Sequence, residues 1–143
     1  MTQEDDRPVE WFTLREADAE ECRLGGMEPE EALSMSIAQS DCAYRVVADG
    51  EVLAYWGWRS QGLLSGGCNA WMLSTPAIEN HKVFAARASL KLLEDLLATH
   101  HRIDIIVSPE HALALKWLKW MGFKRCATFG PFEVHTIQRG GRA

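Results

Sequence analysis

Few side chains in this 143-residue chain are equipped for chemistry, and they are scattered. His111 is a candidate acid or base, imidazole being the side chain whose ordinary pKa lies near neutrality. Cys22, Cys42, Cys68 and Cys126 are widely spaced. They form no Cys-x-x-Cys pair and no tight Cys/His cluster, so no metal site is expected and the thiols read as reduced and mostly buried. Ser65, Ser74 and Ser89 lack a Gly-x-Ser-x-Gly setting, and there is no Gly-x-x-x-x-Gly-Lys-Ser/Thr loop. Six tryptophans are present. Trp56 and Trp58 share one face of a strand by period two, with Trp71 in the next strand and Trp117 and Trp120 on one helix. Most belong in a core, and the surplus suggests an exposed aromatic patch for a protein partner.

These residues must be positioned by one domain, 1–143, with 1–8 and 138–143 expected to fray. A 47% hydrophobic share excludes a disordered chain. No apolar run reaches the ~18–20 residues of a membrane span, so no membrane partner is expected. The acidic N-terminus does not read as a secretory signal. The net charge of −5 is lopsided. Residues 1–51 hold 14 acids and 4 bases, and 52–143 hold 6 acids and 11 bases. The acidic third argues against a nucleic-acid partner, and the basic remainder suits a phosphate-bearing ligand, an acidic partner or that acidic third.

The predicted elements start with a strand over 9–14 and short helices over 17–24 and 29–40. Gly25-Gly26 stops the first helix, and Pro29 with Glu28, Glu30 and Glu31 starts the second. Strands over 43–48 and 52–59 flank Asp49-Gly50, a hairpin signal, and Gly57 marks a bulge or a close backbone approach. A third strand covers 68–73. A long helix over 80–99 carries Val83, Ala86, Leu90, Leu93 and Leu97 at helical spacing. A buried strand over 103–107 precedes a helix over 110–121, striped by Leu113, Trp117 and Trp120 and stopped by Gly122. Strands over 123–127 and 132–137 close the chain. The order β-α-α-β-β-β-α-β-α-β-β predicts an α/β (α+β) fold: a mixed sheet with helices on both faces.

This order resembles the GNAT superfamily of acyl-CoA-dependent N-acyltransferases, whose sheet is mostly antiparallel. The hairpin Val46-Val47-Ala48-Asp49-Gly50-Glu51-Val52-Leu53-Ala54-Tyr55 resembles its second and third strands. Residues 112–123 (ALALKWLKWMGF) resemble its closing helix and Gly-Phe. Within that superfamily, residues 20–32, 71–74 and 115–122 and the ending Phe132-Glu133-Val134-His135-Thr136-Ile137-x-Arg139-Gly140-Gly141 resemble internal virion protein A of short-tailed bacteriophages. That resemblance implies a role in virion morphogenesis, phage structural or core proteins as partners, and the host cytoplasm or the virion as location.

The superfamily resemblance also implies where acetyl-CoA would sit. Its phosphates would meet the start of the long helix, at Lys82, Val83, Phe84, Ala85, Ala86 and Arg87. The superfamily carries a glycine-rich loop there, because a Cβ obstructs close approach of backbone to phosphate. This chain has 11 glycines and none between 68 and 121. The plainer alternative is an ordinary helix start with a solvated basic face. The general-acid Tyr of many members is matched by Leu118, and a frequent Asn by His111. Glu79, His81 and Glu133 are the polar candidates for a base near the implied cleft. His100 and His101 suit the C-terminal end of the long helix. Two expectations follow: a virion-assembly protein with a degraded acyl-CoA site and no cofactor, or an active N-acetyltransferase using acetyl-CoA.

Overall fold

Asp49 and Gly50 both have positive φ, 51° and 78°, and join Ala48 to its partner Glu51 in a two-residue hairpin loop. This hairpin of β2 (Cys42–Ala48) and β3 (Glu51–Ser60) seeds the sheet. The computed structural model describes residues 2–4, 16–62 and 64–140. Among them the sheet has seven strands in the order β1-β2-β3-β4-β5-β7-β6. The others are β1 (Thr2–Glu4), β4 (Gly67–Ser74), β5 (Arg102–Val107), β6 (Lys124–Phe129) and β7 (Phe132–Gln138). Every neighbouring pair is antiparallel except β4 and β5. The expected strand over 9–14 lies outside the described residues. Thr2–Glu4, within a terminus expected to fray, instead pairs with Tyr44–Val46, and Gln138 pairs with Arg102.

Helices α1 (Glu16–Leu24) and α2 (Pro29–Gln39) lie on one face of the sheet, α3 (Lys82–Leu97) and α4 (Ala112–Met121) on the other. On the α3/α4 face, Leu93, Leu96, Leu118 and Met121 pack with Trp56, Ile103 and Val107. On the opposite face Cys22 and Leu33 pack with Tyr55 and Leu73. Each such large apolar side chain contributes about 1.5–3 kcal/mol when taken out of water. A 3-10 turn, Pro76–Asn80, precedes α3, so the helix starts two residues later than expected. Gly122 ends α4 in the left-handed conformation at φ 103°, and the Phe123 N–H returns to the Leu118 carbonyl.

The helical stripes differ from those expected. In α3 the buried line is Ala85, Ala88, Leu93 and Leu96, and Val83 is 67% exposed. In α4 it is Leu118 and Met121, leaving Trp120 57% exposed. Both helices carry apolar residues around much of their circumference, and packing against the sheet chose the line that periodicity left open.

The tryptophans also land differently. Trp56 is buried, and Trp58 packs on the same cluster with its ring edge-on to His100 at 4.9 Å. Trp56 is thereby withdrawn from any exposed aromatic patch, and Trp58 is half-buried. Gly57 does mark a close approach: a Cβ there would meet the Trp71 indole at 2.6 to 2.8 Å. The indole continues over the sheet and its Nε1–H donates to Ser40 Oγ at 2.7 Å. The register shift in this hairpin lies at Val46/Val47.

Candidate functional site

Parallel strands β4 and β5 pair over only four residues, Gly67–Ala70 against Arg102–Ile105. A polar cluster closes that end of the seam: Gln61 Nε2 donates to Asp104 at 2.7 Å and to Asn69 at 2.9 Å, and Arg102 Nη2 donates to Gln61 at 2.7 Å. Beyond Ala70 the β4–β5 ladder ends. A cavity of about 300 Å³ occupies the resulting gap and crosses the sheet, with Leu93, Leu118 and Met121 lining one side and Cys22, Trp71 and Leu73 the other. That volume is at the lower end for small-ligand sites.

Ionisable groups gather beside Ser74 and Ser108, at the ends of β4 and β5. Asp18 and Glu21 come from successive turns of α1, so they share its inner face. Asp18 is buried and accepts hydrogen bonds from the Ser74 N–H at 2.9 Å and the Ser74 hydroxyl. Its other oxygen lies 2.7 Å from His111 Nε2. His111 is the N-cap of α4, and its Nδ1 accepts from the Ala114 N–H at 3.3 Å. That cap assigns the ring proton to Nε2, donating to Asp18. Glu21 Oε2 accepts from the Ser108 N–H at 2.6 Å. Asp18, Glu21 and His111 offer atoms all within 4.8 Å of one another. Burial raises the Glu21 pKa above its ordinary value, against the lowering effect of the Ser108 N–H.

The strand ends add a donor. The Thr75 N–H points to β3, where it meets the Leu53 carbonyl, and the Ser74 N–H points away to Asp18. By strand alternation the Met72 N–H faces the gap as well.

Of the acid–base candidates and the position matched to the general-acid Tyr, His111 and Leu118 line the cavity. His111 is buried with both ring nitrogens engaged, so it positions Asp18 and caps α4. Leu118 supplies a wall and no proton. Glu79, His81 and Glu133 do not line the cavity. Glu79 pairs with Lys82 at 3.2 Å, and His81 Nδ1 lies 3.9 Å from Asp49. Glu133 bonds His135 at 3.0 Å, which holds its carboxyl below the usual range. His100 packs after the end of α3, its Nδ1 3.3 Å from the Leu96 carbonyl.

The Lys82–Arg87 window sits at the start of α3, outside the cavity wall. Phe84 and Ala85 turn inward onto Val46 and Leu53, and Lys82, Val83 and Arg87 are exposed. The Ala85 N–H makes the first bond of the helix, to the His81 carbonyl. The N–H groups of Lys82, Val83 and Phe84 therefore have no intrahelical acceptor, and His81 adds no side-chain cap. Asp18 and Glu21 escaped the sequence reading. Their only signal was two acids three residues apart on a short acidic helix, which reads equally as a solvated face.

Comparison with solved structures fits this geometry. A spermidine N-acetyltransferase SpeG chimera from Vibrio cholerae and hSSAT aligns with a TM-score of 0.68 at 12% identity, over 97% of this chain and 96% of that one. A GNAT-family acetyltransferase from Bacillus anthracis aligns with a TM-score of 0.68 at 13% identity, over 96% and 92%. An aminoglycoside acetyltransferase in complex with coenzyme A and kanamycin aligns with a TM-score of 0.59 at 19% identity, over 78% and 75%. No protein-family model matches the chain. No curated protein matches it. None of these three structures is described as a phage protein, so the virion-assembly expectation gains no support from them. No helix among the described residues is long and apolar enough to cross a membrane. The chain has the mixed, mostly antiparallel α+β fold of the GNAT acetyltransferases.

Proposed function

We propose that this chain is an N-acyltransferase that moves an acyl group from acyl-CoA to an amine. The observation that carries this reading is the apolar cavity crossing the sheet where β4 and β5 part, with ionisable groups at one mouth. The fold likeness to acetyltransferases, one of them holding coenzyme A, supports it. Virion assembly has only the residue resemblance behind it.

The chain fits the cosubstrate in part. The free N–H groups at the start of α3, with Lys82 and Arg87 exposed nearby, suit an anion without glycine. Acyl-CoA supplies the activated thioester. The apolar gap takes an uncharged arm and excludes water from it. The Met72 N–H is placed to donate to a carbonyl oxygen. Glu21, with its raised pKa, accepts a proton from the acceptor's ammonium, freeing the nitrogen to attack. Nitrogen bonds the acyl carbon, the carbon–sulfur bond breaks, and the leaving sulfur takes the second nitrogen proton directly from the attacking nitrogen, since Leu118 has none to give. Asp18 and His111 hold the mouth in shape.

Calorimetric titration with acetyl-CoA tests the reading. Binding tighter than ~100 µM, about 5 kcal/mol, supports it. Lys82→Glu with Arg87→Glu should weaken that binding at least tenfold. No detectable binding by the folded protein at millimolar acetyl-CoA would overturn the reading.

A further inference from the structure

The chemistry of the cavity wall specifies its acceptor more narrowly. We propose that the acceptor is a monoamine, a single ammonium on a compact apolar or aromatic body, with its nitrogen held by Glu21. The inference rests on the acyltransferase reading for the transfer step and on the cavity alone for amine binding.

Among the described residues lining the cavity, the carboxylates are Asp18 and Glu21, and there is no side-chain amide. Asp18 is already committed to Ser74 and His111. Glu21 differs: its Oε2 accepts the Ser108 N–H, and no described hydrogen bond or ion pair reaches its Oε1. A carboxylate drawn from water without a cation is unfavourable, and a bound ammonium relieves that cost.

Apart from the Ser36 hydroxyl, the rest of the acceptor-side wall is apolar: Met27, Ala32, Trp71, Leu73 and Phe132. The two carboxylates lie together at one end, within 4.8 Å. A diamine separates its nitrogens by several carbon–carbon bonds, so a second ammonium inside the cavity would lie away from both carboxylates, and among the described residues no third carboxylate lines the cavity. A polyhydroxylated amine would likewise leave most of its hydroxyls unpaired, since Ser36 can meet only one or two of them. This sets the chain apart from the spermidine and kanamycin named for two of its structural neighbours. A volume of about 300 Å³, shared with the acyl arm, further limits the acceptor to a small body.

The test titrates the full chain at pH 8 with 2-phenylethylamine, spermidine and kanamycin by calorimetry, and follows thiol release with acetyl-CoA. Expected are binding of 2-phenylethylamine and a kcat/KM at least tenfold above that for spermidine. Glu21→Gln keeps an acceptor for Ser108, so it should fold and bind acetyl-CoA as before, while the KM for 2-phenylethylamine rises at least tenfold. Met27→Glu places a second carboxylate on the wall and should raise kcat/KM for spermidine. Tighter binding of spermidine or kanamycin than of 2-phenylethylamine, or an unchanged amine affinity in Glu21→Gln, would overturn the proposal. Glu21-dependent binding of 2-phenylethylamine without any acetyl-CoA binding supports the amine site and overturns the acyltransferase reading.

Discussion

Gly57→Ala puts the packing around the cavity to a direct test. The added Cβ meets three indole atoms of Trp71 at 2.6 to 2.8 Å. Ordinary carbon–carbon contact begins near 3.5 Å, so the ring must retreat by about 0.8 Å. It is held by the 2.7 Å bond from Nε1–H to Ser40 Oγ and by packing against the Tyr55 and Leu73 cluster. Overpacking of this kind costs about 1–3 kcal/mol, and weakening that hydrogen bond about 0.5–1.5 kcal/mol. Replacing Gly by Ala within a strand returns about 0.5–1 kcal/mol of chain entropy. The net expectation is a loss of about 1–3 kcal/mol, or about 3–10 °C in Tm for a chain of this length. Urea denaturation with a two-state fit measures it. Trp71→Phe in the Gly57→Ala background removes the colliding ring atoms, so the double mutant should lose less than the two singles combined, by about 1 kcal/mol. A Gly57→Ala protein as stable as the parent, or strict additivity, would refute the contact.

His111→Ala removes the α4 cap and a donor to Asp18, and should destabilise by about 2–4 kcal/mol in chemical denaturation, with His111→Asn recovering part of the loss. Glu21 has a pKa above its unfolded value, so its protonated form favours the fold. Its contribution is full below the unfolded pKa of about 4.5 and is lost as pH rises through the folded value. Glu21→Gln should therefore raise Tm at pH 7, and the gain should vanish near pH 4; a pH-independent difference would contradict this. Burial pushes the Cys22 and Cys68 thiols up to about 11 and about 12. Iodoacetamide at pH 7.5, followed by peptide mass spectrometry, should modify exposed Cys126 and leave Cys22 and Cys68 untouched until the protein unfolds.

The elements were legible because their signals are local. Asp49-Gly50, Pro29 and Gly122 each act through their own φ and the nearest backbone groups, and each falls where expected. The site was not legible, because it is assembled over long distances. Asp18 meets Ser74 across 56 positions and His111 across 93. Nothing in the composition of α1 distinguishes an acid facing water from one facing a cavity. Only the laying of α1 across the parted ends of β4 and β5 does so. The same holds for Val83 and Trp120, where a helix apolar around its circumference left the buried line to be chosen by its neighbours.

The short β4–β5 ladder has a mechanical consequence. The sheet is two plates, β1 to β4 and β5 with β7 and β6, clipped along one margin by four residue pairs and the Gln61–Asp104–Arg102 cluster. Such a joint behaves like a clothes peg, stiff at the clip and compliant at the jaws, where among the described residues Ser74 and Ser108 are tied through α1 and His111. A ligand that fills the jaws becomes the missing rung between the plates. Its arrival should be felt at the clip as slower amide exchange over residues 67–70 and 102–105, on strands whose paired backbone it never touches.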